Sequence, residues 1–150
     1  MEMKYLFNPY EQALALKELG FDEPCFAKYT FIPEDEINWF TIPEQGITNK
    51  TTFGSSKNYN SKSFEEEGTI SAPTYSQAFR WFRENHNLVY QINYLYNGNY
   101  QVVIHKNTHE YMELIQDLEH ACVDEIPDNY SYEEAELACL IKLIEIVKNK

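Results

Sequence analysis

The chain has 150 residues, 43% of them hydrophobic and 24% charged, with 24 acidic against 12 basic side chains for a formal charge of −12. That length suits one ordinary domain, and the charge excludes a basic nucleic-acid binder or a binder of anionic lipid, because both depend on Lys and Arg. No apolar run approaches the roughly 20 residues of a membrane helix, and the opening MEMKYLFNPYEQ lacks the apolar stretch of a signal peptide. Three scattered cysteines (Cys25, Cys122 and Cys139) make no disulfide framework, so a reduced, cytoplasmic protein is the expectation.

In chain order, Asn8-Pro9-Tyr10-Glu11 predicts a helix start with Asn8 as cap, Pro9 in the first turn and Glu11 closing a capping box. Ala13, Leu14, Leu16 and Leu19 give that helix an apolar side, and Gly20 stops it. Cys25–Ile32 and Ile37–Ile42 read as two short strands or a hairpin around Pro33-Glu34-Asp35-Glu36. Residues 46–63 are rich in Thr, Asn, Ser, Lys and Gly and read as one long loop, mobile in preference to ligand-binding.

Thr74 with Gln77 begins a second helix through His86, whose Ala78, Phe79, Trp81 and Phe82 form a wide apolar face. Asn97-Gly98 between Leu88–Tyr96 and Asn99–Lys106 predicts a two-residue hairpin, pairing Tyr96 with Asn99 and Ile92 with Val103. In that register both faces are partly apolar. Tyr111, Leu114, Ile115, Leu118 and Cys122 favour a helix over 109–122, with a strand as the alternative. Ser131-Tyr132-Glu133-Glu134 is a capping box that opens a final, strongly apolar helix over 132–148.

The expected fold is one α+β domain over 1–150. A small antiparallel sheet with a central hairpin (88–106) packs against helices 74–86 and 132–148, and the N-terminal helix and strands (8–45) dock on a core of 70–150. The net charges of the three successive fifty-residue segments are −5, 0 and −7. Ten acidic residues gather from Glu110 to Glu136, a stretch without Lys or Arg. A solvated face is the plain reading of such a run, and a partner-binding face is the alternative.

Catalytic motifs are absent from the sequence. Five glycines form no phosphate loop, and Ser55 and Ser56 lack a nucleophile elbow. His105, His109, His120 and Cys122 could be a metal set, but a strand-to-helix change between His105 and His109 removes the meaning of their spacing, so no metal or cofactor is expected. The cysteines read as buried structural thiols. Tyr90, Tyr94, Tyr96 and Tyr100 on the hairpin suit core packing first, a protein interface second and base stacking third. The candidate partner-binding residues are therefore Tyr94, Tyr96, Tyr100, Glu110, Glu113 and Asp117.

Two resemblances extend this reading. The order helix, hairpin, further element, helix over 74–148, with Glu134-Ala-Glu-Leu-Ala-Cys-Leu-Ile-Lys-Leu-Ile-Glu in the last helix, is similar to the double-stranded RNA-binding domain. That likeness implies a third strand within 109–122. Its phosphate-gripping lysines do not carry over, since Glu133, Glu134 and Glu136 stand there.

Ala72-Pro-Thr-Tyr-Ser-Gln-Ala-Phe-Arg-Trp-Phe-Arg-Glu-Asn-His resembles small proteins of gut Bacteroidetes phages and mobile elements, a group with no assigned activity. Tyr132-Glu-Glu-Ala-Glu-Leu-Ala-Cys-Leu-Ile-Lys-Leu-Ile-Glu, Tyr10-Glu-Gln-Ala and Lys17-Glu-Leu-Gly-Phe-Asp-Glu-Pro-Cys-Phe carry the same likeness. It implies a phage or mobile-element origin. The functional expectation is a non-enzymatic accessory protein of the host cytoplasm that contacts a protein, one with a basic surface. An acidic nucleic-acid mimic acting on a host defence or DNA-processing protein is one alternative, and a small enzyme is another.

Overall fold

The computed structural model describes residues 3–32, 37–42, 58–60, 68–96, 98–107, 112–117 and 131–150. The architecture is α+β, with two small antiparallel sheets and three α-helices. The chain divides into two compact units, Met1–Thr74 and Tyr75–Lys150.

In the N-terminal unit a 3-10 turn (Met3–Leu6) precedes α1 (Tyr10–Glu18). The expected Asn8 capping box does not form: Pro9 stands at the cap position, and no side chain bonds the first turn. Asn8 is instead wholly buried and works through its backbone. Its N–H donates to the Pro73 carbonyl at 2.9 Å, and its carbonyl accepts the Tyr29 hydroxyl at 2.8 Å. Both polar atoms of its side chain are buried without a hydrogen-bond partner among the described residues. The far end of α1 does follow the sequence. Gly20 has φ +96° and donates to the Lys17 carbonyl, while Phe21 donates to the Leu16 carbonyl, a Schellman closure.

Strands β1 (Ala27–Ile32), β2 (Ile37–Thr41) and β3 (Thr69–Ala72) form a sheet in the order β2-β1-β3. β1 and β2 pair antiparallel from Lys28 opposite Thr41 to Ile32 opposite Ile37, as the two extended pieces imply. β3, which the sequence reading missed, pairs with β1 through Tyr29 opposite Ile70. Alternate residues share a face, so Ala27, Tyr29, Ile70 and Ala72 meet Phe7 and Ala13 in one buried cluster flanked by Tyr10, Leu14 and Phe40. The Tyr29 ring touches Tyr10 edge-on and Phe40 tilted, at 5.5 and 5.4 Å between centroids.

Within the long loop of the sequence reading, residues 58–60 are fastened to β3. Tyr59 N–H donates to Ser71 Oγ, Ser71 N–H to Asn60 Oδ1, and Thr69 Oγ1 to the Tyr59 carbonyl. Asn60 Nδ2 also donates to the Phe21 carbonyl. The rest of that loop lies outside the described residues.

The C-terminal unit runs α2 (Tyr75–His86), β4 (Leu88–Tyr94), β5 (Tyr100–Asn107), β6 (Met112–Asp117) and α3 (Tyr132–Lys148). Asn87, in the left-handed region at φ +55°, turns the chain from α2 directly into β4. The hairpin stands where Asn97-Gly98 places it, but its register differs by one residue from the expectation. Leu95 N–H bonds the Asn99 carbonyl and Gly98 N–H bonds the Leu95 carbonyl, at 2.8 and 3.0 Å, leaving a three-residue loop.

Tyr94 therefore pairs with Tyr100, Ile92 with Val102 and Tyr90 with Ile104. This slip reassigns every face. Leu88, Tyr90, Ile92 and Tyr94 now share a face with Tyr100, Val102 and Ile104, while Gln91, Asn93 and Gln101 share the other. Leu88, Val102 and Ile104 are buried, and Gln91 and Asn93 are exposed.

Over Met112–Asp117 the favoured helix is corrected to a strand, since β6 pairs antiparallel with β5 in a sheet ordered β4-β5-β6, and the rest of 109–122 lies outside the described residues. The cause of the misreading is a bulge. Ile104 opposes Gln116 and His105 opposes Leu114, so Ile115 is the extra residue. That insertion breaks the two-residue period and leaves apolar neighbours that imitate helical spacing. α2 and α3 pack on each other, α2 on β4, and α3 on β4 and β5. Phe79, Trp81, Phe82, Ala135, Cys139, Leu140, Leu143 and Ile144 are buried from the two helices.

Two stability measurements check these contacts. Tyr29→Phe removes the only hydroxyl bonded to the buried Asn8 carbonyl among the described residues, and should cost about 1–3 kcal/mol by urea denaturation. Gly98→Ala meets no close atom, yet must hold φ near +88°. It should cost about 1–2 kcal/mol, and an unchanged midpoint would reject the three-residue loop.

Candidate functional site

The hairpin tyrosines are set by the register. Tyr94 and Tyr100 are cross-strand partners whose rings meet edge-to-face at 5.3 Å. Tyr100 in turn meets Tyr132, the first residue of α3, edge-to-face at 5.6 Å. Nearer the middle of the sheet, Tyr90 lies 4.0 Å from Phe79 of α2, centroid to centroid. The aromatic row thus begins under the helices and emerges at the hairpin end. Tyr132 is 42% exposed, Tyr94 68%, and Tyr96 in the turn is fully exposed.

Two of the acidic candidates lie on β6. Glu113 is in register with Lys106 and Asp117 with Val103. Lys106 is six residues along β5 from Tyr100, about 20 Å at the ~3.3 Å rise of a strand. Glu110 lies outside the described residues.

Carboxylates of α3 also stand near the tyrosines. Ser131 accepts the Glu134 N–H and the Glu134 carboxylate accepts the Ser131 N–H, at 3.2 and 2.7 Å, so the expected capping box is formed. This start places Tyr132 and Glu136 four apart and on one side of the helix. Glu136 is half-buried, and its carboxyl is pushed above the ordinary range by desolvation and then by the charge of Glu133.

Burial also raises the Tyr132 phenol, with Glu136, Cys139, Tyr100 and Glu133 adding to the effect. Tyr90 is raised by burial and by Tyr132, Cys139 and Glu136, against a lowering from Arg83. Tyr90, Tyr132 and Glu136 were missed as site residues. The one sequence signal for two of them was the capping box, which fixes the phase of α3. Tyr90 was weighed with the hairpin tyrosines, and the register sets it on the same face as Tyr94 and Tyr100.

Cys25 and Cys139 are free and buried. Burial pushes the Cys25 thiol up to about 12 and raises that of Cys139 as well, which disfavours a nucleophilic thiolate at either. Cys122, His109 and His120 lie outside the described residues. His105 is half-buried on β5, with its Nδ1 unpartnered among the described residues. Among the described residues no three His, Cys, Asp or Glu side chains gather as a metal site, and no helix is long and apolar enough to cross a membrane. Comparison with protein-family models, curated proteins and solved structures finds no match to the chain.

The Glu136 environment has a signed consequence for stability. A carboxyl whose pKa is raised by folding contributes fully below its ordinary value near 4.5, and that contribution is lost as pH rises through the raised value. Glu136→Gln should therefore be more stable than the parent near neutral pH, and the gap should close below the carboxylate range. Urea midpoints at the two conditions check this.

Proposed function

We propose that this chain is a non-enzymatic accessory protein of a phage or mobile element, working in the host cytoplasm by binding a protein with a basic surface. The observation that supports it best is the emergence of Tyr94 and Tyr132 around the half-buried Tyr100, with Tyr96 exposed in the turn and the carboxylates of Glu133 and Glu136 near Tyr132. Tyrosines supply large contact area at small entropic cost, and the net charge of −12 favours a basic partner. The phage or mobile-element origin rests on the resemblance of the four segments quoted above.

A second reading, an acidic nucleic-acid mimic, draws on the order α2-β4-β5-β6-α3, which is that of the double-stranded RNA-binding domain. Glu133 and Glu134 stand exposed at the start of the last helix, where that family carries lysines. Acids at a helix N-terminus are also favoured by the helix dipole, and Glu134 is engaged in the cap. The tyrosine row therefore carries the leading proposal.

The immobilised full chain should capture a basic protein from a gut Bacteroidetes host lysate at low salt and release it as salt rises. Tyr94→Ser/Tyr96→Ser should lose the same protein. No retained protein, or retention indifferent to the substitutions, would overturn the proposal.

A further inference from the structure

We infer that Tyr94, Tyr100, Tyr132 and Glu136 form a seat for an arginine side chain presented by the partner. This inference rests on the partner-binding role proposed for the hairpin end. Glu136 is a half-buried carboxylate next to a second one, Glu133, and forms no ion pair or hydrogen bond among the described residues. Its ionised form bears both a desolvation cost and a repulsion, and an approaching cation relieves the two together. Among the described residues, neither Lys142 nor Arg83 does this. Lys142 is paired with Glu145 at 2.9 Å, and Arg83, although its charge reaches Tyr90, makes no ion pair with Glu136 among the described residues.

The rings supply a second and independent attraction. Tyr132 sits one helical turn before Glu136, so a cation at that carboxylate lies beside an exposed aromatic ring that is itself in contact with Tyr100, and through it with Tyr94. Ring and carboxylate together suit a guanidinium better than an ammonium. The guanidinium is planar and weakly hydrated, stacks on aromatic surfaces, and can give two parallel N–H bonds to one carboxylate. An ammonium is a strongly hydrated point charge that would lose more water on entering the same place.

The test titrates the full chain with a blocked Gly-Gly-Arg-Gly-Gly peptide while following its tyrosine ring signals by NMR. The same peptide with lysine or citrulline at the centre serves for comparison, citrulline keeping the shape without the charge. Saturable displacement of the Tyr94, Tyr100 and Tyr132 signals is expected with arginine, several-fold weaker binding with lysine, and none with citrulline. Glu136→Gln should bind about tenfold more weakly, and Glu145→Gln like the parent.

Equal response to lysine or citrulline, binding unchanged in Glu136→Gln, or ring signals that do not move would each overturn the seat. Failure here with tyrosine-dependent partner capture intact removes the arginine seat alone. Capture indifferent to Tyr94 and Tyr96 removes the proposed function itself.

Discussion

Two backbone hydrogen bonds at one end of a hairpin govern most of the C-terminal unit. Leu95 bonded to Asn99, and Gly98 bonded back to Leu95, set the register of β4 on β5. Side chains alternate along a strand, so one residue of slip would send Tyr100, Val102 and Ile104 to the face away from α2 and α3. In the observed register these three join Leu88, Tyr90 and Ile92, giving the helices an apolar surface to cover. The same choice brings Tyr100 against both Tyr94 and Tyr132, so core formation and the exposed tyrosine row follow from one turn geometry.

The N-terminal unit relies on a different economy. Its sheet is built around β1, where Tyr29 fills the aromatic centre and spends its hydroxyl on the Asn8 carbonyl. Asn8 also receives the chain leaving β3 through the Pro73 carbonyl, and Phe7 and Thr74 bridge beside it. A residue suited to capping is thus used as a backbone junction. Its side-chain amide stays buried without a hydrogen-bond partner among the described residues.

Local chemistry was legible in the sequence where it acts locally. The Ser131 box, the Gly20 stop and the turn at Gly98 all lie where residue type dictates. The hairpin register was not legible, because a two-residue and a three-residue loop can both use Asn97-Gly98, and Gly98 satisfies the positive φ in the latter. β3 escaped because four residues are too few to show a period, and β6 stood second to a helix because its bulge erased one. Asn8 was misread because a cap residue and a buried backbone junction look alike until the opposing strand is known. Of the site, Tyr94 and Tyr100 could be named from the hairpin. Their union with Tyr132 and Glu136 depends on where α3 crosses the sheet, which no spacing along the chain encodes.

Asn60 gives the first sheet a boundary. On the side of β3 away from β1, the Ser71 N–H is taken by a side-chain amide, and the Tyr59 backbone is held by the hydroxyls of Ser71 and Thr69. A segment held through side chains offers no continuous ladder for a strand from another molecule to extend, and it occupies the place where such a strand would begin. The fastening of residues 58–60 thereby works against edge-to-edge association of the protein with itself. A short β3 rich in small residues can then stand at the margin of its sheet without seeding growth there.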